Sequence, residues 1–403
     1  MAKGGTTSSD SSTEGSDAAV PPRANALLAG QAEAEAEVLR AWEGGRLSHA
    51  WLLTGPRGIG KATLAFRMAR FILAGGAVEP AQTAPDPGPS LFGDPPAPPA
   101  GPSAPSGGLA MTPEHPVFRR VRAGSHADLR VIERGSSDEK QAQRDLDAGR
   151  EPRRRDEIVV GDVRDLGAFL SLTPAEGGWR VVVIDAADEM NRNAANAVLK
   201  VLEEPPPRSV LVLLAHTPAR LPATIPSRCR RLALRPLPPP VMRELLATYR
   251  PDLEESARAT LIGLAQGSIG RALDLARKGG LDLYGDVMAL VAQAPRMDVA
   301  KCHALGDRVA KDDAAWHLFR DLVPGWLARL GRVGALGDRP AGGVDEGEHA
   351  VMQRLSRAGA LDRWVTVWEK TNHLLGRTDA VNLDRKQAAL AVLLLIDRAA
   401  ARS

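Results

Sequence analysis

The stretch His49-Ala-Trp-Leu-Leu-Thr-Gly55-Pro-Arg-Gly-Ile-Gly60-Lys61-Ala-Thr63 decides the fold. Its first six residues form a short apolar run that reads as a buried strand. Ala62 to Ala74 then carries apolar residues at helical spacing (Leu64, Ala65, Met68, Ala69, Ile72). A Gly-x-x-x-x-Gly-Lys turn between a strand and a helix is the setting of a phosphate-binding loop. Its glycines (Gly55, Gly58, Gly60) let the backbone wrap a phosphate with N–H groups pointing inward. Lys61 reaches for the outer phosphates, and the helix N-terminus adds positive partial charge. The position after the lysine ordinarily holds a Mg²⁺-binding hydroxyl, but here it is Ala62. Thr63 comes one residue late, about 100° around a helix of 3.6 residues per turn, so it is not expected to replace that ligand. A glycine-rich turn without nucleotide is the other reading.

Downstream, Arg180-Val-Val-Val-Ile184 is a β-branched run ending in Asp185, as in a central parallel strand. It resembles a Walker B strand, whose Asp sits near Mg²⁺. A working site follows that Asp with Glu, whereas here Ala186 follows. Asp188 and Glu189 lie further on and are expected to cap a loop or helix. Asn193 to Leu202 reads as a helix stopped by Glu203-Glu204-Pro205-Pro206-Pro207. Ser209 to Ala215 is a further buried strand. Alternating strands and helices predict an α/β parallel sheet. Past Pro236-Leu-Pro-Pro-Pro240, residues 241–278 read as short helices, and 281–401 is helical throughout, including 361–375 and 386–401.

The whole chain has 403 residues, enough for roughly two to four domains. Lys and Arg number 52 against 49 Asp and Glu, a net charge of +3, which argues against a wholly basic nucleic-acid binder. Two cysteines, Cys229 and Cys302, exclude a disulfide scaffold and a four-cysteine zinc module. The N-terminal segment has no apolar core of a signal peptide, and no run of about 18 apolar residues occurs. A soluble, cytoplasmic protein is expected. Residues 1–22 are expected to be a disordered tail. Residues 75–113 hold 11 of the 31 prolines and read as a flexible insertion that buries no core. The charged stretch 134–156, with Arg153-Arg154-Arg155, reads as a solvated loop, with DNA phosphates as the other use of its arginines.

Ser227-Arg228-Cys229 is the remaining candidate. An arginine at a subunit edge can stabilise transition-state charge in a neighbour's phosphoryl-transfer site. On composition alone, Arg228 is a surface residue in a basic cluster with Arg230 and Arg231. His115 and His126 lack thiol or carboxylate partners at ligand spacing, so no zinc is expected. Trp364 and Trp368 stand four apart on a helix, which favours core or subunit packing. With 4% aromatic residues, a single-strand stacking platform is poorly supported.

The order of these motifs, with Asn193-Ala-Ala-Asn-Ala-Val-Leu-Lys-Val-Leu-Glu-Glu-Pro-Pro206 between them, resembles the bacterial clamp-loader branch of the AAA+ ATPases. The resemblance covers 24–74 and 115–236 strongly and weakens toward the C-terminus. It implies an AAA+ P-loop domain (23–236), a small helical lid (237–280) and an all-α collar domain (281–403) that oligomerises. It also implies Arg228 as a finger acting in trans on ATP held by a motor subunit, and Thr217 as a vestigial γ-phosphate sensor. In Gly267-Ser-Ile-Gly-Arg271 the sensor arginine position holds Gly270, with Arg271 shifted by one. The implied role is that of a non-motor subunit of a DNA polymerase III clamp loader, helping to place a sliding clamp on primed DNA within the nucleoid-associated replisome. Its partners would be gamma/tau-type motor subunits and a delta-type subunit in a hetero-pentamer, with clamp and DNA reached through the complex and no membrane involved. It would belong to a DNA-directed DNA polymerase holoenzyme without a polymerase site of its own. Little intrinsic ATPase activity is expected. No cofactor is required, and ATP binds weakly at most at the degenerate site of Gly55, Gly58, Gly60, Lys61, Thr63, Asp185 and Thr217. The alternative is an autonomous motor ATPase in which Thr63 and Glu189 compensate for Ala62 and Ala186; a nucleic-acid-binding module is the third reading.

Overall fold

The computed structural model describes residues 20–76, 108–137, 139–147, 154–176, 178–336, 346–358 and 361–401. Five parallel strands form one sheet in the order β2-β3-β4-β1-β5. They are β1 (Ala50–Thr54), β2 (Leu129–Glu133), β3 (Arg180–Asp185), β4 (Ser209–Ala215) and β5 (Arg230–Ala233). In register, Leu52 of β1 faces Leu213 of β4 and Arg231 of β5, and Val182 of β3 faces Leu211 of β4.

Both sheet faces are covered, which is why the central strands are apolar without interruption. Side chains alternate along β3. Val181 and Val183 enter one core with α1 (Ala32–Glu43), α2 (Lys61–Leu73) and α3 (Pro116–Ala123). Val182 and Ile184 enter the other, with α5 (Val160–Val163), α6 (Leu166–Ser171) and α7 (Arg192–Glu203). The turn from β1 to α2 therefore lies at the carboxyl end of a central strand, where open α/β sheets bind ligands.

The C-terminal half is helical: α8 (Pro239–Tyr249), α9 (Glu255–Ala265), α10 (Ile269–Arg277), α11 (Gly280–Val291), α12 (Val299–Lys311), α13 (Asp313–Leu336), α14 (Glu346–Ala358), α15 (Leu361–Ala380) and α16 (Arg385–Ala401). One apolar core runs without a break from Leu237 through Leu275 and Trp316 to Ala400, so the lid helices share packing with the helices behind them. The parallel α/β sheet followed by a helical C-terminal region agrees with the fold class expected above. Trp364 is fully buried and donates its indole N–H to the Leu355 carbonyl at 3.1 Å, whereas Trp368 is 40% exposed.

Three expectations need correction. The stretch 134–156 is not wholly loop: Glu139–Asp147 forms α4, because Glu, Lys, Gln, Ala and Arg favour helix and Gln141 bonds Asp145 one turn on. Of its arginine run, Arg154 pairs with Glu133 and Arg155 with Asp162, while Arg153 lies outside the described residues. The expected insertion 75–113 lies outside them over 77–107, but at its end Leu109 and Met111 are buried in the core beside α2. The expected tail lies outside them over 1–19; Pro22–Ala24 forms a 3-10 turn. Sequence patterning also passed over β5, an edge strand whose Arg230 and Arg231 are both exposed. It hid inside a basic cluster.

Candidate functional site

The Gly55–Lys61 turn joins β1 to α2 through three glycines with positive φ. Gly55 has φ +136° and a Cβ there would sit 2.6 Å from the Leu234 carbonyl oxygen; Gly58 has φ +77° and a Cβ would sit 2.4 Å from Ser268 Oγ. Neither position admits another side chain without strain. Gly60 caps α2 in the left-handed region. Lys61 is buried, and its ammonium donates to the carbonyls of Gly55 and Pro56, each at 2.6 Å. Burial pushes that ammonium down to about 8, against the pull of Asp185 and Asp188.

Gly58, Gly60, Lys61, Thr63 and Asp185 line one cleft of about 1090 Å³. Its remaining walls are residues from 20–29, the lid and the first turns of α13. The N-terminal wall is pinned from beneath. Buried Arg70 donates to the Arg23 and Asn25 carbonyls at 3.2 and 3.0 Å, and Asn25 donates to the Tyr249 hydroxyl of the lid at 2.9 Å. Gln31 ties Ile59 to Arg235 through two carbonyls.

At the far end of the cleft stands Asp185, the last residue of β3. Burial, and then the nearby Glu133 and Glu189 carboxylates, push it up to about 6. Ala186 is buried beside it and brings no carboxylate. Asp188 accepts the backbone N–H groups of His216 (3.0 Å) and Thr217 (2.7 Å), capping the end of β4. Glu189 is held by Arg134 Nε at 2.9 Å. Thr217 itself is exposed and lies outside the cleft lining.

Arg228 lies away from this cleft. Its loop is seated by Ile225, buried in the core under α7, and by Cys229 packed against the same core. Its guanidinium reaches the Glu203 carboxylate at 2.9 Å and donates to the Thr224 carbonyl at 3.1 Å. The expected basic cluster is divided: Arg230 turns to Glu37 on α1 and lies over the Trp51 ring.

Residues 111–238, which hold β2 to β5, Asp185, α7 and Arg228, match the family model described as DNA polymerase III, delta subunit. That match spans about a third of the chain. Over 260 residues it is 33% identical to the DNA polymerase III delta prime subunit of Pseudomonas aeruginosa, covering 64% of this chain and 65% of that protein. It is 28% identical over 234 residues to the Bacillus subtilis delta prime subunit, 58% of this chain and 55% of that one. It is also 28% identical over 237 residues to the tau subunit of Escherichia coli, 57% of this chain and 29% of that one. The chain thus spans less than two thirds of the length of these relatives. Among solved structures, a gamma subunit-related protein from Thermotoga maritima is similar at 16% identity with a TM-score of 0.41, covering 92% of this chain and all of that one.

The lid rests directly on the Gly55–Lys61 turn. Ser268 Oγ donates to the Arg57 carbonyl at 2.8 Å, and the Gly270 N–H donates to the Gly58 carbonyl at 2.9 Å. A Cβ at Gly270 would sit 2.9 Å from Gly58 Cα, so close approach explains why position 270 is glycine. Arg271 points instead to Asp321 on α13 at 2.8 Å. Sequence reasoning missed His216, which lines the cleft beside Lys61 and is pushed down to about 4, chiefly by burial and then by Lys61. Its one signal was its place at the end of β4, just before Thr217. His115 and His126 serve locally, each accepting a backbone N–H through Nδ1 at 3.2 Å. Among the described residues no helix is long and apolar enough to cross a membrane.

Proposed function

We propose that this chain is the non-motor delta prime subunit of a cytoplasmic DNA polymerase III clamp loader. It presents Arg228 to ATP held by a neighbouring gamma/tau-type subunit while the loader, a pentamer that includes a delta-type subunit, places a sliding clamp on primed DNA. Delta prime and tau relatives supply the replication context. One contrast supports the mechanism: the chain's own cleft lacks a hydroxyl at 62 and a carboxylate at 186, while Arg228 stands half-exposed on the surface.

An arginine finger works by neutralising charge that develops on the transferring phosphoryl group. Arg228 has the planar fork for it. In the chain's own cleft, Lys61 already donates to two loop carbonyls, and Glu189, which would have to stand in for Ala186 in an autonomous motor, is held by Arg134. Both features oppose turnover in cis.

The test is steady-state ATP hydrolysis by the purified chain, alone and then with the other loader subunits, clamp and primed DNA. No turnover alone, and complex turnover that collapses with Arg228→Ala, is the expected result. Turnover by the isolated chain that disappears with Lys61→Ala would establish the autonomous motor instead. Nucleotide binding is expected to be weak and indifferent to Mg²⁺. At 1 mM ATP the stabilisation should stay below about 0.5 kcal/mol and be the same with EDTA. A melting shift that needs Mg²⁺ would overturn this.

A further inference from the structure

Glu203 ends α7, and its carboxylate meets the Arg228 guanidinium at 2.9 Å. The same guanidinium nitrogen set also donates to the Thr224 carbonyl at 3.1 Å. Two anchors therefore act on the Arg228 loop from one helix end. Leu202 and Val198 of α7 share the core that buries Ile225 and packs against Cys229, which fixes the base of the loop. Glu203 reaches out from the same last turn and fixes the charged head. A long arginine loses rotamer freedom when it is immobilised, and a head already held in one direction loses less on meeting its target.

We infer that Glu203 is a positioning residue for Arg228: it orients the guanidinium for delivery to a neighbour's phosphoryl group. This rests on the reading of Arg228 as a trans-acting finger. The pair is suited to the task because it is weak. Both side chains are partly in water, Arg228 at 37% and Glu203 at 52% exposure. An exposed pair of this kind orients a side chain yet yields to a better anion. A phosphate oxygen in a water-excluded site is such an anion, and Glu203 is then returned to solvent at small cost. A buried carboxylate in its place would hold the arginine too strongly to release it.

The experiment uses the full chain in a loader reconstituted with its other subunits, with clamp and primed DNA present, and measures kcat and KM for ATP. Glu203→Gln should lower kcat about threefold to fivefold, the scale of an exposed pair, with KM within about twofold of the parent. Glu203→Asp should recover part of the loss. The gap should narrow at high salt, which screens the pair. In the Arg228→Ala background, Glu203→Gln should change nothing further. Thermal melting of both Glu203 variants should match the parent, which separates orientation from folding. If Arg228→Ala collapses turnover but Glu203→Gln leaves kcat untouched or raises it, the positioning role is wrong and the finger stands. If Arg228→Ala itself leaves turnover intact, the finger and its positioning residue fall together.

Discussion

The two ends of α7 differ in how they treat their charges. At its N-terminal end lies the cleft, where charged groups are turned inward onto the chain: Lys61 onto Gly55 and Pro56, Asp188 onto the backbone of β4, Glu189 onto Arg134. At its C-terminal end Arg228 is half in water and held only by groups that can exchange. Inward bonds stabilise the loop and lid but leave few groups free for substrate. Outward, weakly held charge contributes little to stability and remains available to a partner. On the proposed reading of Arg228, rigidity and chemistry are separated along one helix.

Substitutions should therefore divide in the same way, with activity lost at one end and stability at the other. The largest effect is expected at Arg228, the proposed finger. Arg228→Ala should lower turnover at the neighbouring site by on the order of 10³-fold. Arg228→Lys should rescue little of it, because an ammonium lacks the planar fork. Measured kcat in the reconstituted loader checks both. The same variants should cost under about 0.5 kcal/mol in stability, since the residue is exposed. Gly58→Ala should do the reverse. It demands φ +77° of a residue with a Cβ and drives that atom into Ser268 of the lid. About 2 kcal/mol of destabilisation is expected from denaturant unfolding, with the Arg228 site still active in the complex. If Gly58→Ala were neutral, the lid would not be seated on the phosphate loop as described.

Much of this division could be read from the sequence. The strand–turn–helix around Gly55–Lys61, the Asp185 strand and the proline stop after Glu204 each combine a period with a punctuating residue, and such signals are local. Ala62 and Ala186 were legible as absences because the motif fixes what should stand there. The remainder depended on partners distant in sequence. Nothing near Arg228 announces Glu203, 25 positions earlier, and nothing near Gly270 announces Gly58, which its backbone approaches too closely for a side chain. Strand β5 was hidden because an edge strand can carry two adjacent arginines. Helix α4 was hidden because a short charged helix has the composition of a loop.

The smallest of these effects probes the Asp185 end of the cleft. Asp185 is pushed up to about 6 by burial and by Glu133 and Glu189, with Lys61 and Arg57 opposing. Its folded-state value lies above the ordinary carboxylate value of 3.8, so the folded chain holds a proton that the unfolded chain releases. The stabilisation from that proton is complete below about pH 3.8 and is lost as pH rises through about 6. At pH 7.5 the carboxylate is ionised, crowded by two others, and no Mg²⁺-binding hydroxyl at position 62 helps to bring a compensating cation. Asp185→Asn should therefore raise stability at pH 7.5, by on the order of 1 kcal/mol once the opposing cations are counted. The gain should shrink below pH 6 and vanish near pH 4. Denaturant midpoints of parent and variant across that range supply the comparison. A motor-type site would give a second signature: added Mg²⁺ would stabilise the parent and not the variant. Loss of stability in Asp185→Asn at pH 7.5 would mean that the carboxylate still anchors Lys61, and that this end of the cleft retains more of its original order than Ala62 and Ala186 suggest.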